Sequence, residues 1–518
     1  MSLSIISALP LVILLLVLWR RNAKSSGGVL YRGLPLPPGP KPLPIIGNAL
    51  DVPVTLPWRT YAQWAREYGD LLHLRIFGKS IIVLNSFSAV SDLFEKRSTN
   101  YSDRPQTEMT SLTGWTWVFA VAKYGEEWRR KRRDFYQYFN QTAVRQFEPQ
   151  IRDAAQSLLR RLYHEPKGFA DHIQYAFGAT MLSVLYGIQA EEKDDKYIAI
   201  AERALDAIGE VATAGKFWVD FVPLLRYIPI WMPGAEFQRK AAKWKLDASA
   251  MKETPWHDMA VSPKDGPYAH VALGMSEQIS SLIGEAHARE EEISKSVCGA
   301  AYAGGSHTTV STMLTFFLAM VLYPDVQRKA QLELEAVVGS TRLPDFSDKE
   351  DLPYINALCM ECLRWQPASP LALPHKSMAD DEYNGYFIPA CSILLQNSWA
   401  ILHDPDEYPD PEKFRPERFL KNGKLNDEVR DPAIVAFGLG RRTCPGRFFI
   451  NLALYMDIAY ILHTFSISSA LDDEGNPLPL EANMTSASLS CPIPFGCTIK
   501  PRSKQAELLI QDDKEVQA

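Results

Sequence analysis

No cysteine occurs before Cys298 in this 518-residue chain, and the seven that follow are an odd, lopsided set. A framework of extracellular disulfides, which needs paired cysteines spread through the fold, is thereby excluded, and reduced thiols in a cytosolic setting are implied. A basic excess is also absent. The formal net charge is −6, so the chain lacks the electrostatic footprint of a nucleic-acid binder. The body contains no internal repeat and no linker-like stretch, which weakens the several-domain expectation that length alone would give. What remains is ordinary globular composition, 46% apolar and 22% charged, ample for a large core.

Leu3 to Trp19 is apolar apart from Ser4 and Ser7, with Pro10 inside, and Arg20, Arg21 and Lys24 follow. As a helix it would span about 25 Å, the short end of a membrane crossing. A cleaved signal peptide is the rival reading. It would carry positive charge before the apolar core and a small-x-small site after it. Here the charges follow the core, so residues 1–19 read as a retained transmembrane anchor with the body on the cytosolic side. Residues 20–47 read as a basic and proline-rich hinge. Prolines at the density of Leu34 to Asn48 favour extended polyproline structure, a stiff spacer that holds a globular body against the membrane.

Leu71–Phe77 and Ser80–Leu84, split by Gly78-Lys79, read as a β-hairpin. Helical signals dominate from there to about residue 365, with Pro223, Pro229, Pro233, Pro255 and Pro324 as breaks. Short strands return near Tyr386–Ile388, Ile393–Gln396 and Cys497–Ile499. Beyond Pro501 the chain is polar and is expected to fray. The body thus covers 48–501 and a polar tail covers 502–518.

The stretch richest in chemistry is Phe437-Gly438-Leu439-Gly440-Arg441-Arg442-Thr443-Cys444-Pro445-Gly446. A thiol placed where backbone N–H groups converge and cations sit close is biased toward the thiolate. A thiolate is a strong axial ligand for haem iron. The glycines would let the backbone turn tightly against a flat macrocycle, and Pro445 can open the helix that follows. Cysteine and glycine alone would favour a structural free thiol in a loop. The whole pattern, Phe-x-x-Gly-x-Arg-x-Cys-x-Gly, is far more specific and resembles the haem-binding loop of the cytochrome P-450 family.

Other segments extend that resemblance over essentially the whole chain. Ser294 to Tyr323 has helix-compatible spacing and contains Ala303-Gly304-Gly305-Ser306-His307-Thr308-Thr309. Such a glycine-rich turn can kink or widen a helix, or simply pack it closely on another. It resembles the family's oxygen-activating helix, with Thr308 as the hydroxyl donor and His307 where an acid usually precedes it. Histidine can shuttle protons near neutral pH. Glu361-Cys362-Leu363-Arg364 would be an ordinary i,i+3 pair on its own. With Arg418 of Phe414-Arg415-Pro416-Glu417-Arg418-Phe419, the resemblance implies a buried structural network behind the haem. Cys359 and Cys362 form a Cys-x-x-Cys with no second pair at zinc-ligand spacing, a weak metal signal.

Trp128-Arg129-Arg130-Lys131-Arg132-Arg133 places Trp128 and Arg132 on one helix face. By resemblance Trp128, Arg132, Arg442 and His375 bind the haem carboxylates, while the remaining cations point outward and steer an acidic electron donor. The substrate pocket implied by the family is lined by Thr113–Phe119, Lys216–Phe221, Tyr302–Ala303, Leu371–Leu373 and Pro494–Gly496. Its aromatics, Trp115, Trp117, Phe119, Phe217, Trp218 and Phe495, suit a bulky apolar substrate, although most aromatic clusters are simply core. Sequons at Asn100, Asn140 and Asn483 stay unmodified on a cytosolic body.

The chain therefore resembles a membrane-anchored fungal secondary-metabolism cytochrome P-450, in flavour the O-methylsterigmatocystin oxidoreductase-like group. That resemblance implies a mainly α fold with small β-sheets, heme b ligated by Cys444, and electrons from an NADPH-cytochrome P-450 reductase. It further implies single-pass residence in the endoplasmic reticulum membrane and monooxygenation of a small apolar molecule, a terpenoid or polyketide, with indoles or other aromatics next. A haem-thiolate isomerase or dehydratase acting on peroxides, and a non-catalytic haem protein, are the alternatives.

Overall fold

Alternating apolar residues along Leu71–Ile76 (β1) and Lys79–Leu84 (β2) make an antiparallel hairpin in which Leu71 faces Leu84 and Ile76 faces Lys79. Its turn, Phe77-Gly78, has positive φ at both residues, 46° and 83°, as a tight hairpin turn requires. Further strands are His375–Lys376 (β3), Asp381–Tyr383 (β4), Tyr386–Ile388 (β5) and Ile393–Gln396 (β6). They complete a four-stranded sheet in the order β1-β2-β6-β3 and a separate β4–β5 hairpin. The strands expected at 386–388 and 393–396 lie where the sequence puts them.

The computed structural model describes residues 32–212, 216–261 and 268–511. The anchor at 1–19, the basic part of the hinge and the end of the tail lie outside the described residues. The chain forms two units, one made of residues 32–105, Leu371–Ile401 and Leu439–Arg441, the other of the remainder. The first carries the sheet and the helix Pro57–Tyr68 (α1). Within it the proline-rich segment is stitched to β1 instead of standing off as a spacer. The His73 N–H donates to the Pro38 carbonyl (2.8 Å), the Asn48 N–H to the Arg75 carbonyl (2.6 Å) and the Phe387 N–H to the Pro35 carbonyl (2.8 Å). Proline lacks a donor but keeps its carbonyl, so such a segment can still cap an edge strand.

The second unit is helical. Its main elements are Glu126–Phe139 (α2), Glu148–His164 (α3), Phe169–Tyr186 (α4), Lys196–Ala212 (α5), Glu236–Val261 (α6), Val271–Ile279 (α7), Gly284–Leu322 (α8), Pro324–Val337 (α9), Pro353–Trp365 (α10), Arg447–Thr464 (α11) and Lys504–Gln511 (α12). Small hairpins join Leu420–Lys421 (β7) to Lys424–Leu425 (β8), and Phe465–Ser469 (β9) to Cys497–Pro501 (β10). Fold class is therefore mainly α with small β-sheets. α8 begins ten residues before Ser294 and ends ahead of Pro324, which opens α9 because a first-turn proline forfeits no helical hydrogen bond. By length and composition α8 could cross a membrane, yet its apolar stretch is mostly buried in protein and forms the core.

Two expectations fail. Pro255 lies inside α6 and breaks nothing, because its ring is buried and tertiary packing offsets the lost backbone bond. The segment after Pro501 does not fray throughout. α12 buries Ala506, Leu509 and Ile510, and its Leu509 and Ile510 carbonyls accept from Gln156 Nε2 of α3 at 2.9 and 3.2 Å.

The charge cluster inferred from Glu361 is present in full. Its carboxylate, 0% exposed, accepts from Arg364 Nε and Nη2 (2.7 and 2.8 Å), Arg418 Nε (3.2 Å) and the Arg415 N–H (2.7 Å). The surplus positive charge is solvated by carbonyls: Arg364 reaches Leu402, and Arg418 reaches Pro409. Glu361→Ala leaves two guanidiniums buried without their anion and should cost about 3–5 kcal/mol. Chemical denaturation of the purified protein checks this, and a loss below 1 kcal/mol would contradict the reading.

Candidate functional site

Cys444 sits in a loop that starts from the short helix Pro432–Ala436, whose N-terminus is capped by Asp431 accepting from the Ala433 N–H (2.9 Å). The Cys444 N–H donates back to the Phe437 carbonyl (2.7 Å) and closes the loop. Gly438 adopts φ +75°, and a Cβ there would meet nothing within 4 Å, so the loop leaves open space on that side. Gly440 serves close approach: a Cβ would lie 1.9 Å from the Phe94 carbonyl oxygen.

Burial pushes the Cys444 thiol up. The backbone N–H groups of Gly446 and Arg447 and the charges of Arg132 and Arg447 pull it down, but they do not prevail. The thiolate bias expected from the glycine turn and its arginines is therefore outweighed by desolvation. A thiolate here needs a further positive centre at the sulfur, which is what a metal ligand has. The donor set fits a haem iron in that sense.

Trp128, Arg132 and Arg442 come together. Arg132 lies one turn after Trp128 on α2, with its guanidinium 5.8 Å from the indole ring, and Arg442 covers the same ring at 4.3 Å. Arg442 is buried and donates to the Phe119 and Ala122 carbonyls (3.2 and 2.8 Å). Arg132 donates to the Thr443 carbonyl (2.5 Å), and among the described residues it meets no carboxylate. A largely buried guanidinium without a carboxylate suits an anionic ligand group. His375 belongs to the sheet-bearing unit. Its ring stacks on Phe94 at 3.8 Å, and Nδ1 donates to the Tyr101 carbonyl (2.6 Å). Sequence reasoning missed Arg104 in that unit. It is buried and grips the Leu373 and Pro374 carbonyls at 2.6 and 2.7 Å, directly ahead of His375. Only its place before Pro105 marks it in the sequence.

On α8 the two adjacent glycines do different things. A Cβ at Gly305 would lie 2.6 Å from Met181 Sδ of α4, so this glycine lets two helices close. At Gly304 a Cβ would meet nothing. Thr308 Oγ1 donates to the Gly304 carbonyl (2.8 Å) and Ser306 Oγ to the Tyr302 carbonyl (2.7 Å). The helix is nevertheless unbroken through this turn, without a widened ring of hydrogen bonds. The close contact at Gly305 holds it to α-helical pitch. His307 is half-buried; burial lowers its pKa, the Asp206 carboxylate opposes this, and burial wins.

The basic run does not point outward as a block. Lys131 is buried, donates to the Trp117 carbonyl (3.4 Å) and pairs with Glu127. Arg130 is held by Glu290 at 2.6 Å and Asp134 at 3.5 Å. Arg129 and Arg133 are exposed, and so is Arg130 despite its two ion pairs. Among the aromatics expected to line a pocket, Trp115, Trp117 and Phe119 are buried, and Trp117 lies against α8 where a Cβ at Gly299 would approach to 2.9 Å. Phe217 belongs to a satellite core with Met109 and Val219, and Phe495 packs on Phe169. Trp218 is 64% exposed and lines no buried space.

Comparison with known proteins is consistent across the chain. The family model for cytochrome P450 matches residues 37–492. The cytochrome P450 monooxygenase eriA of Hericium erinaceus is 42% identical over 506 residues, 94% of this chain and 92% of that protein. The cytochrome P450 monooxygenase COX1 of Coprinopsis cinerea is 39% identical over 489 residues, 93% and 94% of the two chains. The tryptamine 4-monooxygenase of Psilocybe cyanescens is 39% identical over 480 residues, 91% and 94%.

Alanine at either glycine of α8 gains the same helix propensity, but only at Gly305 must Met181 yield. Gly304→Ala should therefore be the more stable of the two by about 1–3 kcal/mol in thermal unfolding. Equal stabilities would mean that the helix contact is slack.

Proposed function

The chain belongs to the cytochrome P450 family as a monooxygenase, and on that footing we propose that it hydroxylates a bulky apolar product of fungal secondary metabolism. The overall change is RH + O2 + NADPH + H+ giving ROH + H2O + NADP+. The observation that carries the site assignment is the half-buried Cys444 sulfur facing two N–H groups and two guanidinium charges. Heme b, when bound through the Cys444 thiolate, supplies reductive activation of dioxygen, the thiolate's electron donation favouring O–O cleavage.

The chain's own residues have separable tasks. Gly446 and Arg447 N–H groups hold charge on the sulfur. Trp128, Arg132 and Arg442 bind and orient the haem carboxylates, Arg132 through a guanidinium that meets no carboxylate among the described residues, and His375 is the fourth candidate for that role. Thr308 would offer its hydroxyl to dioxygen in the open space beside Gly304. His307 takes the acid's part and passes protons as a neutral ring. Exposed Arg129 and Arg133 form the patch that an acidic reductase would meet, with Arg130 exposed beside them but partly neutralised by Glu290 and Asp134.

A terpenoid or polyketide is the proposed substrate, in keeping with the fungal monooxygenases to which the chain is similar and with the O-methylsterigmatocystin oxidoreductase-like flavour of its motifs. An indole is the second reading, favoured by the likeness to a tryptamine 4-monooxygenase. The apolar run at 1–19 supports residence in the endoplasmic reticulum membrane with a cytosolic body. Thr308 and the glycines of α8 speak against the isomerase or dehydratase alternative, and His307 is the feature that lends weight to a non-catalytic haem protein.

Product profiling in a host co-expressing a reductase tests the reading. Oxygenated product that depends on substrate and NADPH is expected, and turnover only with peroxides would sink it. Cys444→Ala should abolish the thiolate-type CO spectrum of reduced haem, and survival of that spectrum would overturn the ligand assignment.

A further inference from the structure

Ser311 follows Thr308 by three positions on α8, about 4.5 Å further along the axis and on nearly the same face. Its hydroxyl leaves the helix. Thr308 and Ser306 donate to carbonyls one turn back, whereas Ser311 Oγ donates to the Ser490 carbonyl, 179 positions away, at 2.5 Å. Both serines are buried. A buried hydroxyl that forgoes its own helix for a distant acceptor fixes the chain that carries the acceptor.

That chain is a hairpin over residues 483–493. Met484 pairs with Pro492, the Thr485 N–H donates to the Cys491 carbonyl (2.8 Å), and the Cys491 N–H donates to Thr485 Oγ1 (3.0 Å). Ser490 ties the hairpin together, its Oγ donating to the Thr485 carbonyl (2.9 Å). Its N–H donates to the Ala368 carbonyl just beyond α10 (2.9 Å). The tip at 486–488 is exposed. Leu489, beside the pinned residue, is half-buried yet does not belong to the helical core. Phe495, the aromatic expected at the pocket from this part of the chain, packs instead on Phe169, which also meets Phe317 of α8. Phe317 lies about 13 Å past Thr308 along the helix, so the hairpin, and not Phe495, comes level with the Thr308 turn.

We propose that Ser311 is a positioning residue for the substrate: through the Ser490 carbonyl it holds the hairpin beside the Thr308 turn and sets Leu489 as a stop against the molecule to be oxidised. It rests on the reading that Thr308 marks the oxygen side of a haem monooxygenase. Leu489 completes its burial against an apolar ligand, and its distance from α8 decides how long a ligand can be before it meets the leucine. Without the Ser311 proton the Ser490 carbonyl is left buried and unpaired, and the hairpin shifts from α8 to regain a partner. The stop then recedes while α8 itself stays intact.

The test uses the full-length holoenzyme and a series of N-alkylimidazoles of increasing chain length, whose binding to the haem is read from the shift of its Soret band. In the wild-type protein, affinity should rise with chain length and then fall once the chain reaches the stop. Ser311→Ala and Leu489→Ala should each raise affinity for the longest imidazole relative to the shortest several-fold, with the CO spectrum of reduced haem intact. Ser311→Thr, which keeps the hydroxyl, should restore the wild-type ratio. A merely structural loss would weaken all chain lengths alike and leave the ratio in place. An unmoved ratio in either alanine variant overturns the proposal, and Leu489→Ala decides alone should Ser311→Ala fail to hold haem. If the wild-type protein shows no Soret shift with any imidazole, the underlying haem reading fails instead.

Discussion

A single carboxylate with no access to water organises the helical unit. Glu361 on α10 is neutralised by Arg364 from its own helix and Arg418 from a distant loop, and it also accepts the Arg415 N–H. Desolvating three charges is costly, and only near-complete hydrogen bonding makes it tolerable. That condition reaches beyond the cluster, because Leu402, Pro409 and Lys413 must offer their carbonyls at set positions. The loop from 402 to 418 is thus fixed to α10 at many points, and the chain leaving it leads into the Asp431-capped turn that presents Cys444. The loop that presents Cys444 thus follows a segment whose footing is electrostatic.

Much of this was legible in advance. The β1–β2 hairpin and the strands at 386–388 and 393–396 follow from local period and turn chemistry, while the approach of Arg442 to Trp128 and Arg132 was implied only by the family resemblance. What escaped depends on partners remote in sequence. Nothing local says that Lys131 turns inward to the Trp117 carbonyl, or that Arg130 is claimed by Glu290, 160 positions away. A run of cations specifies charge but not direction. Prolines likewise announce extended backbone without revealing that their carbonyls will be used by a strand edge, and polarity after Pro501 conceals the three apolar residues that dock α12.

Two balances inside the site run against simple motif reading. At Cys444 the groups that stabilise charge are in place, yet desolvation exceeds them and pushes the thiol up. On α8, Gly304 and Gly305 are chemically identical and differ only by the 100° that separates neighbours on a helix. That angle puts one against Met181 and the other against open space. Composition therefore marks the turn, and only its surroundings assign the work. His307 belongs to the same logic, since its half-burial lowers its pKa where sequence alone gives only an imidazole.

The hydrogen bonds from His73, Asn48 and Phe387 to the proline-rich segment and sheet have a mechanical meaning. With the Pro35 and Pro38 carbonyls clamped by Phe387 and His73, the segment works as a bracket, and a pull on it at Arg32 would pass as torque into β1 and β5 without being absorbed along its own length.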